Sequence, residues 1–278
     1  MEDNLLKKHG FFFKKQFGQN FLSDTNLLRA IALDAGVDKT VNVLEIGAGA
    51  GALTRILSEE AKRVLSYEID KSLKPVLEES LAGCENVEVV LRDFSKEDLS
   101  QIERTLGNYT VVANLPYYLT TPIILRFVEE SKSCTGLTVM VQEEVADRMC
   151  ARAGESEYGA LTAAIARKGT AKITRRVSKE LFTPRPKVDS AVVRIDFSEG
   201  GFAVADEKAY RATVRCAFLN RRKTLENNLM GAFSLSRDRA KELLAGAEIP
   251  EGVRGETLSP EMLGRLSDLL VTSGTFHS

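Results

Sequence analysis

The 278-residue chain has no tryptophan, and aromatic residues make up only 7% of it. It holds two histidines, His9 and His277, and four cysteines, Cys84, Cys134, Cys150 and Cys216, none of them closely paired. Structural zinc sites recruit Cys and His in tight pairs, so this spacing argues against a metal site. The scattered thiols fit a reducing compartment better than a disulfide framework. No apolar run approaches the roughly 20 residues that span a bilayer, and Phe11-Phe12-Phe13 stops at three. The opening Met1-Glu2-Asp3-Asn4 has no secretory character, so a cytoplasmic protein without membrane attachment is expected. An excess of charge is missing too: 38 basic residues face 39 acidic ones, for a net charge of −1. That total gives no reason to expect a nucleic-acid partner.

The distribution of charge gives one. Arg167, Lys168, Lys172, Arg175, Arg176, Lys179, Arg185 and Lys187 are interrupted by the single acid Glu180. Arg211, Arg215, Arg221, Arg222 and Lys223 surround Phe218 and Asn220, and Lys7, Lys8, Lys14 and Lys15 form a third group. One such cluster is ordinarily a solvated surface. Three in a neutral chain make a polyanion partner as plausible as that ordinary reading. With 44% hydrophobic and 28% charged residues, the chain can bury a sizeable core and still supply a second, smaller domain.

Strand and helix patterns alternate. Asp24 or Ser23 can cap a helix carrying Leu27, Leu28, Ile31 and Ala32, with Gly36 as its stop. Val41–Ile46, Arg63–Tyr67, Val87–Leu91, Thr110–Ala113 and Gly136–Val141 read as buried strands. Helical spacing fills Leu53–Ala61, Leu73–Leu81 and Pro122–Glu130. That alternation predicts an α/β fold with a mostly parallel sheet covered on both faces. Ala171–Val177 and Ser190–Phe197 read as further strands. The β signal then ends, and Glu207–Phe218, Arg239–Ala245 and Pro260–Leu270 read as helices. The expected organisation is an N-terminal arm over 1–22, a Rossmann-like domain over 23–200 and a small helical C-terminal domain over 201–278.

Glu45-Ile46-Gly47-Ala48-Gly49-Ala50-Gly51 follows a strand and precedes a helix. Glycines there allow a tight turn and close approach of a ligand to the backbone. The spacing is G-x-G-x-G rather than the dinucleotide G-x-G-x-x-G, and Glu45 leads it; both features point away from NAD. Glu68 ends the next strand, where an acid can bind two ribose hydroxyls, although it also reads as an ordinary surface acid beside Asp70. Asp93 and Asn114 end the third and fourth strands. Ligands bind at this edge of open α/β sheets. Together Gly47, Gly49, Glu68, Asp93 and Asn114 point to a nucleoside-bearing cofactor, S-adenosyl-L-methionine first.

Asn114-Leu115-Pro116-Tyr117 resembles the tetrapeptide of amino-methyltransferases, which act on planar conjugated amines. The lone pair of such an amine is delocalised, so it is a poor nucleophile. An amide oxygen and a backbone carbonyl can accept its two N–H groups, and an aromatic ring can stack on the base. Pro116 and Tyr117 could otherwise simply end a strand. Several stretches are similar to the ribosomal RNA small-subunit adenine dimethyltransferase family. They are Phe17–Leu22, Glu45–Gly51, Asn114–Tyr118, Val141–Ala146, Tyr158–Leu161, Phe182–Val192 and Phe218–Leu225, in order from about residue 15 to 230.

The resemblance implies transfer of methyl groups from S-adenosyl-L-methionine to two adjacent adenines near the 3′ end of small-subunit ribosomal RNA, each ending as N6,N6-dimethyladenosine. It implies a role in small-subunit biogenesis on an immature 30S-type particle, for which a monomer is expected. It implies cofactor contacts at Asn20, Leu22, Gly47, Glu68, Asp93 and Asn114, and a base sandwiched between Tyr117 and Phe182. Phe182 also reads as a core residue. The implied fold is a Rossmann-like methyltransferase sheet with a final antiparallel strand. Arg185, Lys187, Arg221, Arg222 and Lys223 are the candidate RNA contacts. Two rivals remain open: an antibiotic-resistance methyltransferase acting on large-subunit RNA, and an RNA-binding assembly factor without essential catalysis.

Overall fold

A computed structural model describes residues 2–276, without the side chains of Glu2, Asp3 and Lys15. Lys15 of the third basic group and His277 therefore fall outside the described side chains. The strands are β1 (Phe21–Leu22), β2 (Asn42–Ile46), β3 (Arg63–Tyr67), β4 (Val87–Val90), β5 (Tyr109–Asn114), β6 (Cys134–Gln142), β7 (Thr170–Val177), β8 (Phe182–Thr183) and β9 (Ser190–Asp196). The helices of the first half are α1 (Glu2–Lys8), α2 (Thr25–Asp34), α3 (Ala52–Glu60), α4 (Lys74–Ser80), α5 (Leu99–Leu106) and α6 (Thr120–Glu130). Those that follow are α7 (Glu143–Cys150), α8 (Ala160–Lys168), α9 (Glu207–Leu219), α10 (Leu225–Phe233), α11 (Arg237–Gly246) and α12 (Pro260–Thr272).

Seven strands form one sheet in the order β4-β3-β2-β5-β6-β9-β7. β4, β3, β2, β5 and β6 pair in parallel. β9 runs antiparallel to β6, with Met140 opposite Val192, which is the final antiparallel strand expected. The parallel strands are buried apolar runs: Val43, Leu44, Val64, Val111 and Val112 have no exposed surface. Burying each such side chain contributes roughly 1.5–3 kcal/mol. The chain order reverses between β2 and β5. Their carboxyl ends therefore open a crevice, because the crossover helices leave in opposite directions.

Local chemistry sets the element ends. Asp24 caps α2 by accepting the Leu27 N–H at 3.0 Å, and Gly36 takes φ +64° just after the helix ends. The expected Leu73–Leu81 helix begins instead with a 3-10 turn over Lys71–Leu73, and Pro75 occupies the first turn of α4. α1, α5, α7, α8 and α10 have no counterpart among the expected helices. α5 is short and capped by Asp98, a signal that the polar run around it obscures.

The chain divides into two compact units, one of residues 1–146 and 172–198, the other of 147–171 and 199–278. This differs from the boundary expected near residue 200 and from a separate arm. In the first unit α1 is part of the fold: Leu6 is buried with Ala48, Ala50, Leu73, Val76 and Leu77. In the second unit α8 packs on α9 and α12. The Tyr158 hydroxyl donates to the Leu258 carbonyl at 2.8 Å, and the Tyr210 hydroxyl donates to the Ala163 carbonyl at 2.9 Å. These bonds draw 147–171 into the helical unit, a long-range pairing that local periodicity cannot show. Among the described residues no helix is long and apolar enough to cross a membrane.

Candidate active site

The turn after β2 needs glycine at its bends. Gly47, Gly49 and Gly51 all have positive φ, at 88°, 57° and 91°, a region costly for residues with a Cβ. A Cβ on Gly49 would also lie 3.2 Å from the Phe21 ring. Phe21 is in turn packed by Phe11 and Phe13, with ring centroids 6.1 and 5.3 Å away. Phe11 and Phe13 thus back the Phe21 ring at the glycine turn, while Phe12 is exposed.

Two buried acids hold this turn differently. Glu45 is fully buried, and its Oε2 accepts the Thr54 hydroxyl at 2.6 Å and the Ser66 hydroxyl at 2.5 Å. It ties α3 and β3 beneath the turn and does not line the cavity. Burial pushes its carboxyl up to about 7. Glu68 is 6% exposed, and its two oxygens accept the Gly49 and Asp70 N–H groups, each at 2.8 Å. It is no ordinary surface acid. Burial raises its pKa and the two backbone donors oppose that shift.

Asn114 ends β5, and its Nδ2 donates to the Asn20 carbonyl at 3.0 Å. With the nitrogen engaged, Oδ1 is the atom left to accept from a substrate. The Pro116 carbonyl already accepts the Leu119 N–H at 2.9 Å. The Tyr117 hydroxyl is hydrogen-bonded to Ser190 Oγ at 3.0 Å, which fixes the ring, and desolvation raises its pKa. Asp93 accepts the N–H and hydroxyl of Ser95, at 3.0 and 2.7 Å. The Ser95 hydroxyl bond leads the interactions that hold its carboxyl below the usual range.

Asn20, Gly47, Gly49, Glu68, Asp93, Asn114, Leu115, Pro116 and Tyr117 line one cavity. Leu22 does not line this cavity; it is buried and lines a smaller pocket of about 40 Å³ that shares Gly47, Gly49 and Asn114. Phe182 is not brought to the main cavity. It is 4% exposed in the core cluster with Leu28, Met140 and Val192, and it pairs with Leu22 in the β1–β8 ladder. The expected sandwich partner therefore takes the core position that its sequence also allows, in the same buried cluster as its ladder partner Leu22. Gln19, Phe94, Tyr118 and Ile123 also line the cavity, and none of them is a candidate from sequence. Gln19 lies inside the Phe17–Leu22 stretch, but nothing in the pattern gives it a role.

The donors and shape suit S-adenosyl-L-methionine. Each Glu68 oxygen uses one lone pair on a backbone N–H and keeps another for a ribose hydroxyl. Ile69, Phe94 and Ile123 give an apolar slot with Asp93 at its edge, as a purine with an exocyclic amine requires. The bare Cα atoms of Gly47 and Gly49 leave space that a side chain would fill.

The basic candidates are partly spent on internal pairs. Arg185 pairs with Glu180 at 2.6 Å, Arg175 pairs with Asp34 at 2.7 Å, and Arg176 pairs with Glu143. Arg221 pairs with Glu256 at 3.2 Å and donates to the Ser156 and Tyr158 carbonyls, each at 2.9 Å. Lys187, Arg222 and Lys223 are exposed.

The profile of the family Ribosomal RNA adenine dimethylase matches residues 10–259. Ribosomal RNA small subunit methyltransferase A of Streptococcus gordonii is 43% identical over 278 residues, covering 97% of this chain and 96% of that protein. The protein of the same name from Streptococcus mutans is 43% identical over 274 residues, covering 96% and 94%. The dimethyladenosine transferase of Plasmodium falciparum superposes with a TM-score of 0.78 at 23% identity, over 91% of this chain and 98% of that one. The 23S rRNA methyltransferase ErmE superposes with a TM-score of 0.70 at 29% identity, over 91% and 100%. The mostly parallel sheet with one antiparallel strand is thus the Rossmann-like methyltransferase fold, and the chain belongs to the ribosomal RNA adenine dimethylase family.

Proposed function

We propose that the protein uses S-adenosyl-L-methionine to convert two adjacent adenines near the 3′ end of small-subunit ribosomal RNA to N6,N6-dimethyladenosine, within an immature 30S-type particle. The observation that carries this reading is the Asn114 amide, fixed by the Asn20 carbonyl in the cavity that also presents Glu68, Asp93 and Tyr117. The relatives' names support the small subunit as the target.

The cofactor supplies an electrophilic methyl group when bound. Glu68 holds its ribose, Asp93 its adenine amine, and the glycine turn leaves room for its amino-acid end. Asn114 Oδ1 and the Leu115 carbonyl accept the two N–H groups of the target amine at the first transfer, and one of them accepts the single N–H left on the monomethylated amine at the second. That pairing favours a more tetrahedral nitrogen and aims its lone pair along the transfer line. Tyr117 stacks on the base, its ring locked by Ser190. No strong base is needed, because the amine becomes acidic only as the new bond forms, and the proton then passes to water. Arg185, Lys187, Arg221, Arg222 and Lys223 contact RNA phosphates, and Arg221 also holds the Ser156–Tyr158 loop. The protein acts in the cytoplasm as a monomer.

The test pairs a methyl-transfer assay with a gel shift on Asn114→Ala. Turnover should fall at least about a hundredfold, the scale for losing a transition-state hydrogen bond in a closed site. RNA affinity should stay near wild type, because phosphate contacts supply most of it. Near-normal turnover would remove Asn114 from the chemistry.

A further inference from the structure

Asp70 has no part in the chemistry proposed for the site, yet it is among the most deeply buried acids of the first unit, 2% exposed. It follows Glu68 by two residues and donates its N–H to Glu68 Oε1 at 2.8 Å. Its side chain caps the 3-10 turn through the Ser72 N–H at 3.0 Å and hydroxyl at 2.7 Å. Two further bonds reach across the fold to the N-terminal segment. Lys14 Nζ donates to Asp70 Oδ1 at 2.6 Å, and Gln19 Nε2 donates to Oδ2 at 2.9 Å. Gln19 Oε1 in turn accepts the Lys14 N–H at 2.8 Å. Burial opposes the charged form of Asp70, but the bonds from Lys14, Ser72 and Gln19 outweigh it and hold the carboxyl below its usual range. The group is therefore a carboxylate at neutral pH, as a latch for a lysine requires.

The residue after Gln19 is Asn20, whose carbonyl receives the Asn114 Nδ2 at 3.0 Å. An asparagine amide can present either its oxygen or its nitrogen to a substrate. With the Asn20 carbonyl in place, a flip would set oxygen against oxygen, so Oδ1 is the atom offered to the amine. Elsewhere the segment is held at its outer end, where Lys8 and His9 meet Glu79 at 2.6 and 2.8 Å, and at β1. Between these points, Lys14 and Gln19 are tied down by Asp70.

We propose that Asp70 is a positioning residue for methyl transfer: through Lys14 and Gln19 it sets the Asn20 carbonyl, which sets the Asn114 amide. This rests on the catalytic role given to Asn114. It makes the 14–20 segment part of the catalytic geometry in addition to a cofactor wall, and it joins the ribose acid and the amine acceptor through one short stretch of backbone.

The experiment compares Asp70→Asn, Gln19→Leu and Glu79→Gln in the full-length protein at saturating cofactor. Asp70→Asn replaces one acceptor with a donor facing Lys14 or Gln19. Gln19→Leu cuts the link on the other side, without touching the Ser72 cap, should Asp70→Asn fail to fold. Glu79→Gln loosens the outer anchor only. We expect kcat to fall about tenfold in the first two, with KM for RNA unchanged, since sub-ångström misplacement of a reacting group costs on that scale. Glu79→Gln should keep its kcat. In ¹⁵N spectra, the Asn114 side-chain amide, assigned by its absence in Asn114→Ala, should lose its hydrogen-bonded shift in the first two variants. An unchanged kcat, an unmoved Asn114 signal, or an equal loss in Glu79→Gln would overturn the proposal. The amide signal needs no RNA, so it reports on positioning even if the catalytic reading of Asn114 fails.

Discussion

Glu68 is where the structure changes an energetic expectation. Read from sequence, a strand-end acid at a cleft has few packing partners, so its removal should weaken the cofactor and spare the fold. In the structure the carboxylate takes the N–H groups of Gly49 and Asp70 in a buried setting, and losing it leaves both donors unpaired. Glu68→Ala is therefore predicted to weaken S-adenosyl-L-methionine by about 2–3 kcal/mol and also to destabilise the fold by about 1–3 kcal/mol for each buried donor left unsatisfied. Calorimetric titration beside thermal melts checks both. Unchanged cofactor affinity would remove Glu68 from the site, and an unchanged melting temperature would contradict its role in holding the turn. Glu45 makes a separate prediction. Burial raises its carboxyl from 4.5 to about 7, so between those values the folded chain keeps a proton that the unfolded chain has released. Stability should fall as pH rises through that window and level off above it, by an amount of order 3 kcal/mol. Burial dominates because the Ser66 and Thr54 hydroxyl bonds reach Oε2 alone and offset it only in part, while Oε1 has no partner among the described residues. Glu45→Gln should flatten this dependence in melts run from about pH 4.5 to 7.5. A variant that keeps the wild-type slope would assign the effect to other groups.

At the scale of elements, the parallel core was the most legible part of the chain. β3 matches its expected bounds, and β2, β4 and β5 begin or end within one residue of theirs, because each is a compact apolar run closed by glycine or a polar residue. The strand-end acids and Asn114 were legible for the same reason: once strands are placed, their carboxyl ends are placed. The two-residue ladder of β1 and β8 was not legible, since two residues carry no period. That ladder decides Phe182. Its burial with Leu28, Met140 and Val192 predicts that Phe182→Ala costs about 3–5 kcal/mol of stability, the range for emptying a core aromatic site. Phe182→Leu separates the two roles for this ring. If Phe182 acts from the core, Leu preserves most of the packing and the methyl-transfer rate. If the ring must swing out to stack on the base, turnover falls while the melting temperature holds. Lys14, Gln19 and Asp70 were invisible for another reason: their partnership spans 56 residues, and no local pattern encodes it.

At the scale of the whole molecule, a net charge of −1 leaves RNA affinity to local patches, and the structure sorts them. Arg175, Arg176 and Arg185 meet acids within the first unit, and in the second unit Arg167 meets Glu207. Arg221 is tied to Glu256 rather than to Glu226, which pairs with Arg237. Neutralising Arg222 and Lys223 together should therefore weaken RNA binding and lower the slope of log affinity against log salt, by up to about 0.7 for each phosphate no longer neutralised. Cofactor affinity and melting temperature should stay unchanged. Adding Arg221 to the set should also lower the melting temperature, because two backbone carbonyls lose their donor. An unchanged salt slope would end the phosphate-binding role of this run. The target RNA is the central claim. Its most direct test incubates the purified protein with isotopically labelled S-adenosyl-L-methionine and separated, undermethylated ribosomal subunits, followed by mass spectrometry of each RNA. We predict label in the small-subunit RNA alone, as two adjacent N6,N6-dimethyladenosines near its 3′ end. Label in the large-subunit RNA, or cofactor binding with no transfer to either, would contradict it.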